Sequence, residues 1–436
     1  MRVFAALLLL LLLLPASAQS THPAITLRNL NEADGVGAHL YNDSGATGLV
    51  LVVVRGHEVF FRGYGETAPR SHQLPDRNSV IRLCSLTKTF TTDLLAKLAD
   101  NHTLALNDPL QRYVPPGAVV PQRNGEITLL NLATHTAGLP REIGYPARAV
   151  PHFTFPDYAR RWQWLANEHL LHTPGTVALY SNVGFDLLAD ALSSAAHHPY
   201  PTLLESQTLA PLHMWQTTFF PDATQCARLL HGANDEGPCT STESTMGSSG
   251  LYSTPDDVAK WLEYLLGTGG PILPAQAPDA HSVYLLPSQL VRVRGLDHAG
   301  DPTGIGLAWM HLGAKDDPDH IIEKTGGGAG FLTYIAIQPA SHTALFFAAT
   351  DGQPGAGTRG FNLFKAANNG LLQLAGLPPI QDEFRPVRAG AHLLRTARRT
   401  RAHRGAGRTH TARAPRTPTR AKASARHKHT RRSPGM

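Results

Sequence analysis

Ser85-Leu86-Thr87-Lys88 places a hydroxyl and an amine three residues apart. On a helix, residues i and i+3 share a face, so the Lys88 amine can reach the Ser85 hydroxyl. A serine becomes a good nucleophile only when a nearby base takes its proton, and lysine serves once desolvation or a neighbouring cation lowers its pKa. A serine at a helix N-terminus also sits where backbone N–H groups favour a developing oxyanion. The bland alternative is an N-cap serine beside a solvated lysine.

Two further groups fit the same chemistry. Tyr180-Ser181-Asn182 follows Pro174-Gly175 and precedes a predicted helix. Tyr180 could relay a proton and Asn182 could bind a substrate amide; equally, Ser181 or Asn182 could cap the helix while Tyr180 packs. Lys324-Thr325-Gly326 follows the apolar pair Ile321-Ile322 and runs into Gly327-Gly328-Ala329-Gly330. A strand-edge lysine supplies fixed positive charge, a threonine hydroxyl can hold a carboxylate, and glycines let a substrate backbone lie close. A glycine-rich hairpin turn is the competing reading. A phosphate loop fits poorly, because Lys-Thr precedes the glycines instead of following them.

The ordered set Ser-x-x-Lys, Tyr-Ser-Asn and Lys-Thr-Gly resembles that of penicillin-recognising serine enzymes, in the variant of class C β-lactamases and related DD-peptidases. The chain most resembles the AmpH-type D-alanyl-D-alanine carboxypeptidase/endopeptidases. That resemblance rests on Arg82–Lys88, Ala133–Glu142, Phe153–Tyr158, Leu179–Phe185, Ala223–Arg228, Gly237–Thr240, Gly247–Thr254 and His320–Phe331, in order over most of residues 24–378. It implies a two-lobed α+β fold of the β-lactamase/DD-peptidase type. It also implies a penicillin-binding periplasmic enzyme acting on peptidoglycan peptides. Ser85 is then the acylated nucleophile, with Lys88 and Tyr180 moving its proton; which of the two is the acylation base stays open. Asn182 positions the acyl part of the substrate, Lys324 gives electrostatic support and Thr325 contacts the terminal carboxylate. Gly326 belongs to the substrate-binding strand, and the N–H groups of Ser85 and Gly327 form the oxyanion hole. A β-lactamase or esterase of the same fold is the runner-up. A non-catalytic wall-binding protein is the alternative of another class, opposed by the intact Ser85, Lys88 and Tyr180.

These residues must be positioned by recognisable elements. Gly48–Val54 is rich in β-branched residues and Glu58–Gly65 alternates, which predicts a hairpin. From Ser85 a helix is expected to begin, with Phe90, Leu94, Leu95 and Leu98 at helical spacing. Further helices are expected over Leu129–Thr134, Pro156–Asn167, Val183–Ala195, Pro201–Ala210, Pro255–Leu266 and Phe361–Leu374. Strands are expected over Gly304–Leu312, His320–Glu323, Phe331–Gln338 and Thr343–Ala349. Strands near both chain ends predict one antiparallel sheet with an inserted helical region at about 86–250.

The chain's 436 residues have a formal net charge of +6, which conceals an uneven distribution. Residues 384–436 hold 16 Lys and Arg with no acidic residue, leaving 23 basic against 33 acidic residues elsewhere. The folded part, residues 19–383, is therefore acidic and not a nucleic-acid binder. The Arg/Ala/Thr/Pro-rich tail reads as disordered; it could adhere to an anionic wall polymer or be a solvated extension, the reading slightly favoured. Val3–Leu14 is apolar but too short to span a bilayer comfortably, and Ala16-Ser17-Ala18 suits cleavage before Gln19. Residues 1–18 are thus expected to be a signal peptide and the mature protein to be periplasmic, with peripheral association with the inner membrane left open. In that oxidising space Cys226 and Cys239, thirteen positions apart, could form a disulfide worth about 3 kcal/mol or remain thiols. Cys84 reads as a small buried hydrophobe. No cofactor or metal is called for: no His-Glu-x-x-His occurs among 23 histidines. Arg141 and Glu142 could line the cleft, but an ordinary surface ion pair is the simpler expectation.

Overall fold

The first helix of the computed structural model, α1 (Ala33–Ser44), lies where the sequence predicts none. Gly35 and Gly37 weaken its helical signal; the structure needs the second, because a Cβ on Gly37 would lie 2.2 Å from the Tyr64 hydroxyl. The structure describes residues 27–144, 151–233, 237–268, 280–296, 298–351 and 357–380. The proposed signal peptide and the basic tail lie outside these residues. The chain divides into two units, Met1–Phe384 and Arg385–Met436.

The predicted hairpin is formed by β1 (Gly48–Arg55) and β2 (Glu58–Gly65), paired from Gly48↔Gly65 to Arg55↔Glu58. A short β3 (Ile81–Arg82) leads into a 3-10 turn, Cys84–Leu86, and then α2 (Thr87–Asp100). Ser85 therefore sits in the tight turn ahead of the α-helix, not on its first turn. The next elements are α3 (Leu129–Ala133), α4 (Tyr158–Ala166), β4 (Val177–Leu179) and α5 (Asn182–Ala196). They are followed by α6 (Tyr200–Leu204), α7 (Ala223–Cys226), β5 (Tyr252–Ser253) and α8 (Pro255–Leu265). Strand β6 (Arg292–Arg294) pairs in parallel with β4, a contact between segments too distant in sequence to foresee.

The predicted Gly304–Leu312 strand is instead a hairpin of β7 (Gly304–Ile305) and β8 (Met310–Leu312). Ala308, at φ 67°, turns the chain between them. The last strands are β9 (Ile321–Gly328), β10 (Phe331–Gln338) and β11 (Thr343–Thr350), ahead of α9 (Gly357–Leu374). The seven-stranded antiparallel sheet has the order β2-β1-β11-β10-β9-β8-β7, so strands from both ends of the sequence meet at β1–β11.

Both faces of this sheet are covered. Strand alternation sends Leu49, Leu51 and Val53 into a core shared with α1 and α9, and Val50, Val52 and Val54 into the larger core shared with α2, α5 and α8. Helix α2 runs through that larger core, and every residue from Thr87 to Leu98 is buried. Its threonines remain compatible with burial because their hydroxyls bond to carbonyls: Thr89 to Leu86, Thr92 to Leu307, Thr91 to Gly247. No helix among the described residues is long and apolar enough to cross a membrane.

Candidate active site

Cys84 takes the left-handed conformation, φ 53°, which is uncommon for a residue with a side chain and marks the turn presenting Ser85. Strand β9 holds this turn from behind. A Cβ on Gly326 would stand 2.1 Å from Thr333 Oγ1, 3.0 Å from the Leu83 carbonyl and 3.2 Å from the Ser85 nitrogen. Thr333 in turn donates its hydroxyl to the Leu83 carbonyl at 3.0 Å, and the Cys84 thiol donates to the Gly328 carbonyl at 3.3 Å. The strand and the turn thus form one unit. Burial pushes the Cys84 thiol up to about 12, so it stays protonated and inert.

The three sequence motifs converge on Ser85. Its Oγ lies 2.7 Å from the Tyr180 hydroxyl and accepts a 3.3 Å hydrogen bond from Lys88 Nζ. Lys88 also donates to Asn182 Oδ1 at 2.6 Å and to the Ser248 carbonyl at 2.8 Å. Fully buried, it is pushed down to about 7, against the opposing pull of Asp186; Arg141 adds to the lowering. A lysine so placed exists substantially as the free amine near neutral pH. That is the state a general base requires.

Of the capping alternatives for the Tyr-Ser-Asn triplet, the structure takes the one that uses Ser181. Ser181 is the N-cap of α5, accepting from Gly184 N at 3.0 Å and donating to the Pro140 carbonyl at 2.6 Å. Capping by the middle residue leaves Tyr180 and Asn182 to face the cleft. His135 stacks on the Tyr180 ring with centroids 4.4 Å apart and accepts from Ser181 N at 3.1 Å. Burial holds its imidazole well below the usual range, so it backs the ring as a neutral wall.

Lys324 Nζ lies 5.3 Å from the centre of the Tyr180 ring and donates to the Thr325 carbonyl. Strand β8 pairs with β9 only from Ile321 to Glu323, so Lys324, Thr325, Gly326 and Gly327 lie beyond that pairing and bond only to β10. Among the described residues this leaves that stretch of the strand edge beside Ser85 unpaired on one side, where an extended peptide could add by main-chain hydrogen bonds.

Arg141 and Glu142 do not form the expected surface ion pair. The Arg141 guanidinium lies 4.5 Å above the Tyr180 ring, and the Glu142 carboxylate accepts a hydrogen bond from the Asn182 amide. Sequence reasoning also missed Asp186 and Ser248. Asp186 lies one helical turn beyond Asn182, a spacing that could have drawn attention to it. Cys226 and Cys239 form a disulfide with Cα atoms 5.7 Å apart. Among the described residues no cluster of three potential metal ligands occurs.

Comparison with known proteins agrees with this architecture. A family described as Beta-lactamase matches residues 25–367. The D-alanyl-D-alanine-carboxypeptidase/endopeptidase AmpH of Escherichia coli K12 is 40% identical over 370 residues, covering 84% of this chain and 95% of that protein. A crystal structure of a beta-lactamase/D-alanine carboxypeptidase from Yersinia pestis, complexed with citrate, superposes with a TM-score of 0.74 at 39% identity. That alignment covers 79% of this chain and 97% of the other. A class C beta-lactamase from Rhodobacter sphaeroides shares the fold at 20% identity, with a TM-score of 0.60 over 79% of this chain and 99% of that one.

Proposed function

The chain belongs to the beta-lactamase family, and on that premise we propose that it is a serine D-alanyl-D-alanine carboxypeptidase/endopeptidase acting on peptidoglycan peptides. The observation that carries this reading is the convergence of the Tyr180 hydroxyl and the Lys88 amine on one buried serine oxygen, 2.7 and 3.3 Å away. In this reading Ser85 Oγ attacks the carbonyl of the penultimate D-alanine as its proton passes to the Lys88–Tyr180 pair. The pair returns the proton to the departing amine, and water later cleaves the acyl-enzyme by the reverse relay. The open edge of β9 receives the substrate. Lys324 and Thr325 engage its terminal carboxylate, Asn182 orients its acyl side, and the N–H groups of Ser85 and Gly327 hold the oxyanion.

Penicillins, which present a strained amide beside a carboxylate, acylate the same serine. Residues 1–18 direct the chain to the periplasm in this proposal, and the Cys226–Cys239 bridge is in keeping with an oxidising compartment. The test is incubation of the purified protein with muropeptides ending in D-Ala-D-Ala, read by mass spectrometry of products and protein. Released D-alanine, loss of activity in Ser85→Ala and a long-lived penicilloyl adduct are expected. Rapid penicillin turnover without peptide cleavage would make the protein a β-lactamase. Wall binding with no cleavage of either substrate would make it a binder.

A further inference from the structure

Behind the Ser85–Lys88 pair lies an acid that the mechanism above leaves unused. Asp186 is buried at 3% exposure on the face of α5 that carries Asn182. Its Oδ2 accepts from Ser248 Oγ at 3.1 Å, and Ser248's own carbonyl accepts from Lys88 Nζ at 2.8 Å. Its Oδ1 is enclosed and has no hydrogen-bond partner. A buried carboxyl group with one oxygen unmatched is costly unless a cation lies nearby.

Two cations lie within electrostatic reach, Arg161 of α4 and Lys88 of α2. Arg161 is already held by Asp190, which accepts from its Nε at 3.0 Å and Nη2 at 2.9 Å. Arg161 still favours the Asp186 anion more than Lys88 does, but Lys88 is the cation linked to Asp186 through a shared hydrogen-bonded neighbour, Ser248. Burial raises Asp186 to about 7, the same region to which burial lowers Lys88, and the charge on each favours the ionised form of the other.

We propose that Asp186 is a positioning residue that acts through Lys88, supplying the buried counter-charge for the ammonium formed when Lys88 takes the Ser85 proton. In that step the Oγ–H bond breaks, an N–H bond forms on Lys88, and the proton later leaves with the amine product. The ammonium forms on a fully buried side chain, and an anion reached through Ser248 lowers its energy. The other charged groups around the pair act differently. Arg141 opposes the Lys88 ammonium and Glu142 favours it, while the Cys84 thiol stays protonated and carries no charge. Lys88, Lys324 and Arg141 all disfavour a charged His135. Glu142 also shares a hydrogen-bonded neighbour with Lys88, the Asn182 amide, but Glu142 is exposed to solvent, whereas Asp186, linked to Lys88 through Ser248, is buried.

The inference rests on the proposed role of Lys88, and its test separates the two. The acylation rate of the full-length chain with a fluorescent penicillin is measured from about pH 5 to about pH 9 for wild type, Asp186→Asn and Ser248→Ala. Wild-type acylation is expected to rise with pH through about 7. Asp186→Asn removes the anion that favours the ammonium, so the rise should move about one pH unit lower and the plateau should fall about tenfold. Ser248→Ala removes a hydrogen bond that favours the Asp186 anion, and should move the rise the same way by less. A folded Asp186→Asn protein whose rise stays at the wild-type pH, with or without a lower plateau, overturns the proposal. If that variant does not fold, an unmoved rise in Ser248→Ala overturns it. Absence of wild-type acylation removes the proposed function and this inference together, whereas acylation lost only in Ser85→Ala keeps the former intact.

Discussion

Replacing Gly326 by alanine tests how the nucleophile is held without touching any group that does chemistry. The added methyl would lie 2.1 Å from Thr333 Oγ1, far inside ordinary contact, and 3.0 Å from the Leu83 carbonyl. Thr333 cannot simply rotate away, because its hydroxyl secures that same carbonyl at 3.0 Å within the buried interior. Strand β9 must therefore withdraw from the Ser85 turn. Overpacking of this kind costs about 1–3 kcal/mol, which lowers the melting temperature by only a few degrees in a protein of this size. Displacing an attacking oxygen by about 1 Å costs on the order of 100-fold in rate. The expected result is a folded protein with near-normal circular dichroism and acylation by a labelled penicillin slowed about 100-fold. Gly35→Ala is the control: nothing lies within 4 Å of the added carbon on the exposed side of α1, so stability should rise by about 0.5–1 kcal/mol. A Gly326→Ala protein that acylates at the wild-type rate would show that β9 does not set the position of Ser85.

Tyr180→Phe removes the 2.7 Å contact to Ser85 while keeping the stack on His135, and should slow acylation between about 100- and 10,000-fold in stopped-flow labelling. Reducing the Cys226–Cys239 bridge should lower unfolding stability by about 2–3 kcal/mol in urea titrations. The His311 and His320 rings share a 2.9 Å hydrogen bond, and burial lowers His311 to about 4. The unfolded chain takes up a proton at His311 near pH 6.5 while the folded one does not, so stability present above 6.5 should fall as pH drops from 6.5 toward 4. His311→Gln should flatten that dependence in denaturant midpoints measured across the interval; an unchanged slope would assign the acid sensitivity elsewhere.

The motifs were legible because each confines its chemistry to a few adjacent residues. Ser85 and Lys88 find each other through helical geometry alone, and the β-branched run of β1 declares a buried strand whatever surrounds it. What escaped the sequence was direction. Adjacent Arg141 and Glu142 read as a surface pair, yet one lies over the Tyr180 ring and the other reaches the Asn182 amide. Asp186 is one acid in a helix, and only the approach of the 245–250 turn reveals it as buried; a Cβ on Gly247 would lie 2.0 Å from the Phe185 carbonyl. Helix α1 was hidden by Gly35 and Gly37, of which packing against Tyr64 requires only the second, and the β7–β8 hairpin by an alanine at the left-handed position of the turn.

Beyond its hairpin with β2, strand β1 finds its other partner only at β11, with Leu49 opposite Ala349, so this seam of the sheet joins residues about three hundred positions apart. A nascent chain leaving the ribosome holds its serine, amine and phenol long before it holds β9, β10 or β11. The hydroxyl cannot be primed by the Gly326 brace until those late segments arrive. Such distant pairings form slowly, since a long loop must close before any contact repays it. The candidate centre is thus completed last: truncated or stalled products carry Ser85, Lys88, Tyr180 and Asn182 yet lack both the Gly326 brace and the Lys324-Thr325-Gly326 strand.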